Sequence, residues 1–131
     1  NGGGGEHRPW LFDAETERIY RRYAKLHMHL VPYLMAHSKP YYNQQKPLMA
    51  IRNQNDYGFK LGPDIFVQPI IERGNELRVK LPEGDNWVYL FDQEKQFLGG
   101  TDTTMTFPLE EYPVFLRRPS YLRQALEVPA L

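Results

Sequence analysis

The stretch Val79-Lys80-Leu81-Pro82-Glu83-Gly84-Asp85-Asn86-Trp87-Val88-Tyr89-Leu90-Phe91 decides the fold of this chain. At its start, Leu77, Val79 and Leu81 alternate with basic residues, which is the period of a strand with one buried face. A Pro-Glu-Gly turn follows at residues 82–84, and a second run, rich in aromatic and β-branched residues, leaves that turn. By itself this pattern predicts a half-buried hairpin.

Length and composition describe one globular domain without a strong charge. The chain has 131 residues, with 16 basic and 16 acidic side chains, which is room for about one domain. Because the formal charge is zero, no field attracts nucleic acid or an anionic membrane, and we expect neither as a partner. The sequence contains no run of about 18 apolar residues, so no transmembrane helix is predicted. The lack of cysteine excludes disulfides and leaves both cytoplasmic and periplasmic or secreted locations open.

One long amphipathic helix is predicted near the N-terminus. Apolar and aromatic residues recur at steps of three and four from Ile19 to His37, which predicts a helix over about residues 14–36. Asp13 is the predicted N-cap, and Pro32 is expected to kink the helix because it cannot donate a backbone hydrogen bond.

From Ser38 onward the pattern changes to short strands separated by prolines and glycines. The predicted strands are Leu48–Arg52, Ile65–Ile70, Glu76–Leu81, Trp87–Phe91, Thr103–Phe107 and Val114–Arg117. A short helix is predicted over Tyr121–Glu127. One helix followed by many strands favours the end of an α/β unit that passes into a β-sandwich over a self-contained fold.

The histidines and the opening glycines do not predict a cofactor site. His27 and His29 point to different faces of the helix, and no cysteine is available, so neither a metal nor a cofactor is expected. The glycines at positions 2–5 are followed by Glu6 rather than by the Lys-Ser/Thr pair of a phosphate-binding loop. We interpret the histidines as ordinary packing and surface residues.

Glu6, His7, Arg8 and Trp10 place charge, an imidazole and an indole within five residues just ahead of the helix. In a βα barrel, active-site loops occupy such a position at the rim. Carbohydrate sites combine aromatic platforms with charged partners for hydroxyl groups. The alternative is a salt-bridged loop in which Trp10 caps the core, and spacing alone does not separate the two.

Several segments, taken in chain order, resemble those of glycoside hydrolase family 31, whose members are α-glucosidase-, α-xylosidase- and α-galactosidase-like. The segments are His7–Asp13 ("R-x-PW"), Arg22–Leu26, Leu30–Leu34 ("L-x-PY"), Pro47–Arg52, Leu61–Ile70, Leu81–Trp87 ("YLP-x-G-x-W"), Gly99-Gly100, Pro108-Leu109 and Pro113–Arg117. The resemblance spans Glu6 to Ser120. Two departures, Leu26-His27 in place of Leu-Arg and a shortened loop at Arg52–Tyr57, leave the sugar specificity open.

The resemblance implies a fold and an activity. Residues 1–72 would be the C-terminal end of a (β/α)8 TIM barrel, with a rim loop, the long helix and closing strands, and residues 73–131 a proximal β-sandwich. The family uses two aspartates on earlier barrel strands in a retaining double displacement, and both would lie upstream of Asn1. The complete protein would be an exo-acting α-glycosidase that cleaves terminal α-linked sugars from an oligosaccharide or glycoside.

If the resemblance holds, the chain carries no catalytic residue of its own. A retaining glycosidase needs two carboxylates about 5 Å apart. Glu110 and Glu111 are neighbours that a strand would point to opposite faces, and we interpret Asp85, Asp92 and Asp102 as turn residues. The chain would instead supply a substrate-binding rim of Glu6, His7, Arg8 and Trp10, and a support for the remainder of the barrel.

Two other interpretations stay open. The chain could be a non-catalytic β-sandwich that binds carbohydrate or protein, in which case it should fold alone. A barrel remnant should instead expose the apolar stripe of Ile19, Tyr23, Leu26 and Leu30, with nothing upstream to cover it. A split or decayed enzyme, in which this chain is only a scaffold, gives the same sequence pattern as a truncation.

Overall fold

The computed structural model describes residues 8–51, 57–120, 122 and 126. Within these ranges the chain forms a short 3-10 helix, Pro9–Leu11, and one long helix, α1, Ala14–Asn43. Strands follow: β1 Met49–Ile51, β2 Phe59–Leu61, β3 Ile65–Val67, β4 Glu76–Lys80, β5 Asn86–Tyr89, β6 Gln96–Phe97, β7 Asp102–Thr106 and β8 Val114–Arg118.

Helix α1 begins as predicted and ends later than predicted. The Asp13 carboxylate accepts a hydrogen bond from the Thr16 backbone N–H at 2.7 Å, which confirms the N-cap. The predicted end near Ala36 was wrong, because the helix continues to Asn43 with Pro40 inside it. Its inner face continues as well, since the His37 ring lies 4.5 Å from that of Tyr33, one turn earlier.

The end of α1 is a Schellman motif without glycine. Lys46 N–H donates to the Tyr41 carbonyl and Gln45 N–H to the Tyr42 carbonyl, both at 3.0 Å. Gln45 takes the left-handed conformation, with φ of 54°, that glycine usually supplies. The residue types therefore carry no glycine stop signal, and the predicted end came too early because Pro40, which lies inside the helix, looks like a helix breaker.

The predicted hairpin at residues 77–91 was wrong. Strand β4 pairs with β7 in a two-stranded ribbon, whereas β5 pairs with β8 and β6 in a six-stranded sheet of order β1-β2-β3-β8-β5-β6. The turn carries the chain from one sheet to the other, and Gly84 adopts a φ of 88° there. The alternation of apolar and polar residues predicts which face of a strand is buried, but it does not predict which strand lies beside it. The pairing of β4 and β5 therefore could not be predicted from the sequence pattern.

The six-stranded sheet has a different core on each face. The face towards α1 is aliphatic and packs Ile65, Val67, Val88, Leu90 and Leu116 against Leu26 and Tyr33 of the helix. The face towards the β4–β7 ribbon is aromatic and packs Phe66, Trp87, Tyr89 and Phe115 against Val79, Leu81 and Phe107. Helix, sheet and ribbon thus form three layers, in place of a sandwich of two sheets alone.

The predicted division near residue 72 does not coincide with a break in the sheet. Strands β1 to β3 lie before that residue, yet β3 pairs antiparallel with β8, with Ile65 opposite Leu116. Strands from both sides of the predicted boundary therefore share one hydrogen-bonded sheet.

Most strand predictions are confirmed within a few residues, whereas β2 and β6 were not predicted. The predicted helix Tyr121–Glu127 lies outside the described residues except for two positions. Leu122 and Leu126 are buried, and Leu126 N–H donates to the Leu122 carbonyl at 2.8 Å. In the described part of the chain no helix has the length and hydropathy needed to cross a membrane.

Candidate functional site

The predicted rim segment is described only in part. Glu6 and His7 lie outside the described residues. Arg8 is exposed and extended, and Pro9 opens the 3-10 helix that carries Trp10. The fixed φ of proline suits that first helical position. Arg8 and Trp10 thus lie together directly ahead of α1.

Trp10 does not cap the core of this chain. It is 62% exposed, and the neighbouring Leu11 and Phe12 are 56% and 68% exposed. The packing that we expected beneath the rim loop is therefore not supplied by the described residues. Three consecutive large apolar side chains instead form an open surface at the start of α1.

The expected exposed stripe on α1 is covered. Leu26 is 5% exposed, and Ile19, Tyr23 and Leu30 are half-buried. The expectation that a barrel remnant would leave this stripe open was wrong, because the chain's own six-stranded sheet covers it. The Tyr23 hydroxyl also donates to the Glu110 carbonyl at 3.0 Å.

A second apolar stripe, on the opposite side of α1, is open. Tyr20, Met28, Met35 and Tyr42 are 59%, 65%, 70% and 82% exposed. They follow one another at steps of eight, seven and seven residues, or about two turns each, so they share one face over about 33 Å. Helix α1 therefore has two apolar faces, and the described residues cover one of them.

The three described histidines lie at surface and packing positions on α1. His27 and His29 are exposed on α1. His37 is half-buried and lies between Tyr33 and Tyr41, with ring centroids 4.5 and 6.3 Å away in tilted and edge-on arrangements. The described residues bring no group of three or more histidines and carboxylates to within metal-binding distance of one another.

The best-buried carboxylate, Asp64, was missed by the sequence analysis. It is 4% exposed, and Nε and Nη2 of Arg117 both lie 2.6 Å from its Oδ1. The hydrogen bond from Asp64 raises the pKa of the Arg117 guanidinium above its usual value. Nη1 of Arg117 also lies 3.7 Å from Oδ1 of Asp85, so this arginine joins the buried Asp64 to the turn after β4.

Two other carboxylates have partners that the sequence did not predict, and one of them, Asp102, was wrongly assigned. Asp102 is not a turn residue but the first residue of β7, where both its oxygens accept hydrogen bonds from Arg78 at 2.8 Å. Glu111 lies outside any strand and accepts a hydrogen bond from the Tyr89 hydroxyl at 2.7 Å. Burial, followed by this contact, raises the pKa of Tyr89.

The segments that carry the family resemblance contact one another. The Tyr33 hydroxyl, from "L-x-PY", donates to the Leu61 carbonyl at 2.8 Å and accepts from Asp64 N–H at 3.1 Å. Gly62 lies between them with a φ of 62°, and a Cβ there would be 2.3 Å from the tyrosine oxygen. Only glycine fits so close to the hydroxyl, which ties these two segments to each other.

The turn after β4 makes a second such contact. Trp87 Nε1–H donates to the Pro82 carbonyl at 3.1 Å. A Cβ on Gly99 would lie 2.3 Å from the Asp85 carbonyl oxygen, so the Gly-Gly segment must be small to pass beneath the turn. Among the described residues, these motifs contact one another and hold the domain together.

Comparison with known proteins places this arrangement in one family. The sequence profile of the glycosyl hydrolase family 31 C-terminal domain matches residues 32–121. A sulfoquinovosidase of Escherichia coli K12 is 33% identical over 125 residues, which is 85% of this chain and 18% of that enzyme. An α-xylosidase of Saccharolobus solfataricus is 29% identical over 125 residues, covering 87% of this chain and 17% of that enzyme.

The fold agrees with solved structures of the same family. An α-xylosidase of the family from a soil metagenome, solved with xylose, superimposes with a TM-score of 0.83 at 27% identity, covering 95% of this chain and 20% of that one. The chain thus spans less than a fifth of the length of the curated relatives named above. The chain belongs to glycosyl hydrolase family 31, as the match of residues 32–121 to the profile of that family's C-terminal domain shows.

Proposed function

We propose that this chain is the C-terminal part of a retaining, exo-acting α-glycoside hydrolase that cleaves terminal α-linked sugars. The part described here supplies structural support and a rim segment, and the catalytic aspartates lie on barrel strands upstream of Asn1. Support comes from the relatives, which are a sulfoquinovosidase and α-xylosidases, and from the short share of their length that this chain spans.

The observation that carries the proposal is the second apolar face of α1. A self-sufficient binding module would cover or avoid such a stripe, because large contiguous apolar patches are rare on monomeric proteins. An outer helix of a βα barrel, in contrast, needs one face for the barrel. We assign the stripe of Tyr20, Met28, Met35 and Tyr42 to the rest of the barrel, and the inner stripe to the C-terminal domain.

This assignment moves the proposed domain boundary. The strands β1 to β3 were expected to close the barrel, but their hydrogen bonds connect them to β8 of the C-terminal domain. We therefore propose that the barrel portion ends with α1, and that the C-terminal domain begins at about residue 47 rather than 73.

The test compares this chain with a longer protein that includes the upstream coding region. Both are assayed on a panel of nitrophenyl α-glycosides, including α-xyloside and α-sulfoquinovoside. Activity in the longer protein alone supports the proposal and identifies the sugar. Activity in the short chain would show that the catalytic carboxylates were misplaced, and inactivity of both, with sugar binding by the short chain, would favour a binding module.

Glu6, His7, Arg8 and Trp10 remain our proposed rim contacts. Glu6 and His7 would exchange hydrogen bonds with sugar hydroxyls, and Arg8 would orient the loop. In the longer protein, Glu6→Ala and His7→Ala should each lower kcat/KM. The matched controls are Glu15→Ala and His29→Ala, which remove the same groups from exposed positions on α1. Equal kcat/KM for all four variants would refute the rim assignment.

A further inference from the structure

A cavity of about 520 Å³ lies beside strand β4. Two stretches of chain line this β4 cavity, namely Tyr57 with residues 68–72, and residues 76–78 and 80 of the strand itself. Its volume falls within the range of about 300–1,000 Å³ that is usual for small-molecule sites. Neither Arg8 nor Trp10 lines it, so the β4 cavity is a second candidate site and not part of the described rim.

The first of the two stretches offers apolar surface to a ligand. Tyr57, Ile70 and Ile71 are 55%, 37% and 57% exposed. A single exposed apolar side chain is normal on a protein surface, but these three line one cavity. A ligand with an apolar face can therefore pack against them.

The backbone of Tyr57 has an uncommon conformation. Its φ is 44°, in the left-handed region that bulky residues rarely adopt. Residues persist in such conformations where the surrounding structure requires them, and they cluster at ligand-binding sites. The conformation therefore supports a binding role for this side chain.

Strand β4 offers charged groups to the same cavity. Glu76, Arg78 and Lys80 alternate along the strand and are exposed, so they share one face of the β4–β7 ribbon. Arg78 is held there by its two hydrogen bonds to Asp102 at 2.8 Å. Glu72 adds a second carboxylate to the lining, which then has two acidic and two basic side chains. Because these charges cancel, the lining gives no electrostatic advantage to a charged ligand.

A larger cavity, of about 610 Å³, is less suited to a ligand. The aromatic rings of Tyr89 and Phe107 line it, but these side chains are only 3% and 2% exposed. The Tyr89 hydroxyl is also bound to the Glu111 carboxylate at 2.7 Å. Those rings pack in the core of the domain, whereas the Tyr57 ring is open to a ligand.

We propose that the β4 cavity binds a neutral saccharide. A pyranose ring has an apolar face of C–H groups and a rim of hydroxyl groups, and the two kinds of lining match these two parts. The apolar face packs on Tyr57, and hydroxyl groups donate charge-assisted hydrogen bonds to the carboxylates of Glu72 and Glu76. The inference goes beyond the proposed function, since this binding needs no catalytic carboxylate.

The test is an NMR titration of this chain, followed through its backbone amide resonances. The probes are methyl α-glucoside, glucuronate and glucosamine, which are a neutral, an anionic and a cationic sugar of one ring size. The neutral glucoside should bind with a Kd of about 1 mM and shift amides among the residues that line the β4 cavity. Neither charged sugar should bind more tightly than the neutral one.

Two substitutions examine the two kinds of lining separately. Tyr57→Ala removes the apolar contact and Glu76→Gln removes the charge from a hydrogen bond, and each should raise the Kd about 5-fold. The matched controls are Tyr42→Ala and Glu94→Gln, which remove the same groups from exposed positions that do not line the cavity. Both controls should leave the Kd unchanged.

Other results overturn the proposal. They are an absence of amide shifts well above the expected Kd, shifts centred on Trp10, or a Kd that Tyr57→Ala and Glu76→Gln both leave unchanged. A much lower Kd for either charged sugar would refute the neutral ligand. If the short chain aggregates, a crystal structure of the longer protein soaked with methyl α-glucoside decides, because sugar in contact with Tyr57 and Glu76 supports the site and an empty cavity refutes it.

Glycosidase assays on the longer protein separate this site from the proposed function. An active longer protein whose β4 cavity binds no sugar would refute the site alone. An inactive one whose β4 cavity binds the glucoside would refute the proposed function and leave the site in place.

Discussion

On the inner face of α1, Leu26 and Tyr33 are 5% and 2% exposed, whereas Met28 and Met35, two residues further along in each case, are 65% and 70% exposed. The inner face packs on the chain's own sheet and adds directed hydrogen bonds from tyrosine hydroxyls. The outer face carries Glu17, Arg21 and Lys39 as well as its apolar side chains, and those apolar side chains have no cover in the described residues. Apolar periodicity thus predicts that a face will be buried, but not whether its cover belongs to the same chain.

The largest change in unfolding free energy is expected from a charge placed on the outer face of α1. In the longer protein, Met35→Lys should lower the free energy of unfolding by about 3–5 kcal/mol, because the ammonium would be buried without a partner. In the short chain the same change should stay within about 0.5 kcal/mol, since the side chain faces water. Urea unfolding of both proteins measures the difference. Equal small effects would mean that nothing covers the outer face.

The next effect concerns the inner face in the short chain. Leu26→Ala should lower the free energy of unfolding by about 2–5 kcal/mol, because it leaves a cavity between α1 and the sheet. Met28→Ala is the matched control on the outer face and should cost about 0.5 kcal/mol or less. Thermal or urea unfolding checks both variants. Similar losses for the two would contradict the packing of α1 described above.

The features of the fold that depend on local chemistry could be predicted from the sequence. The Asp13 cap, the helical period and most strands follow from residue types and spacing, and the family segments were found in order. The parts that were missed depend on contacts distant in sequence. No residue near position 77 shows that β4 pairs with β7. The helical spacing of leucines and methionines on α1 also does not show whether a face is covered by the same chain or by another part of the protein.

Buried polar residues could also not be predicted from the sequence. Asp64 looks like a turn residue after Gly62-Pro63, and only the fold brings it to Arg117. Arg22 looks like an ordinary exposed helix residue, and its burial appears only when the sheet is in place. The candidate rim was predicted from composition, and half of it lies outside the described residues.

A smaller effect tests the hydrogen bonds that accompany the inner face. Tyr33→Phe removes the donor to the Leu61 carbonyl and the acceptor of Asp64 N–H. Leaving these groups without partners should cost about 1–3 kcal/mol in unfolding free energy. Tyr42→Phe changes the same atom on the exposed face, where water replaces the contact, and should have almost no effect. An unchanged free energy of unfolding for Tyr33→Phe would mean that the hydroxyl does not stabilise the turn at Gly62.

The smallest effect is the pH dependence of the helix cap. The hydrogen bond from Thr16 N–H lowers the pKa of the Asp13 carboxyl below its ordinary value. A lowered pKa in the folded state means that the cap stabilises the chain above the pKa of the unfolded state. This stability is lost as the pH falls through the folded pKa. The Tm advantage of the native chain over Asp13→Ala should therefore shrink in acid, and a constant difference between pH 7 and pH 3 would contradict the cap.

The most direct measurement of the account is methionine oxidation on α1. Met28 and Met35 are oxidised by dilute peroxide in the short chain and in the longer protein, and each rate is divided by that of the denatured protein. Because both side chains are about two-thirds exposed here, the short chain should react at close to the denatured rate. In the longer protein both should be strongly protected. Equal rates in the two proteins would contradict the claim that the outer face of α1 is the surface on which the rest of the barrel packs.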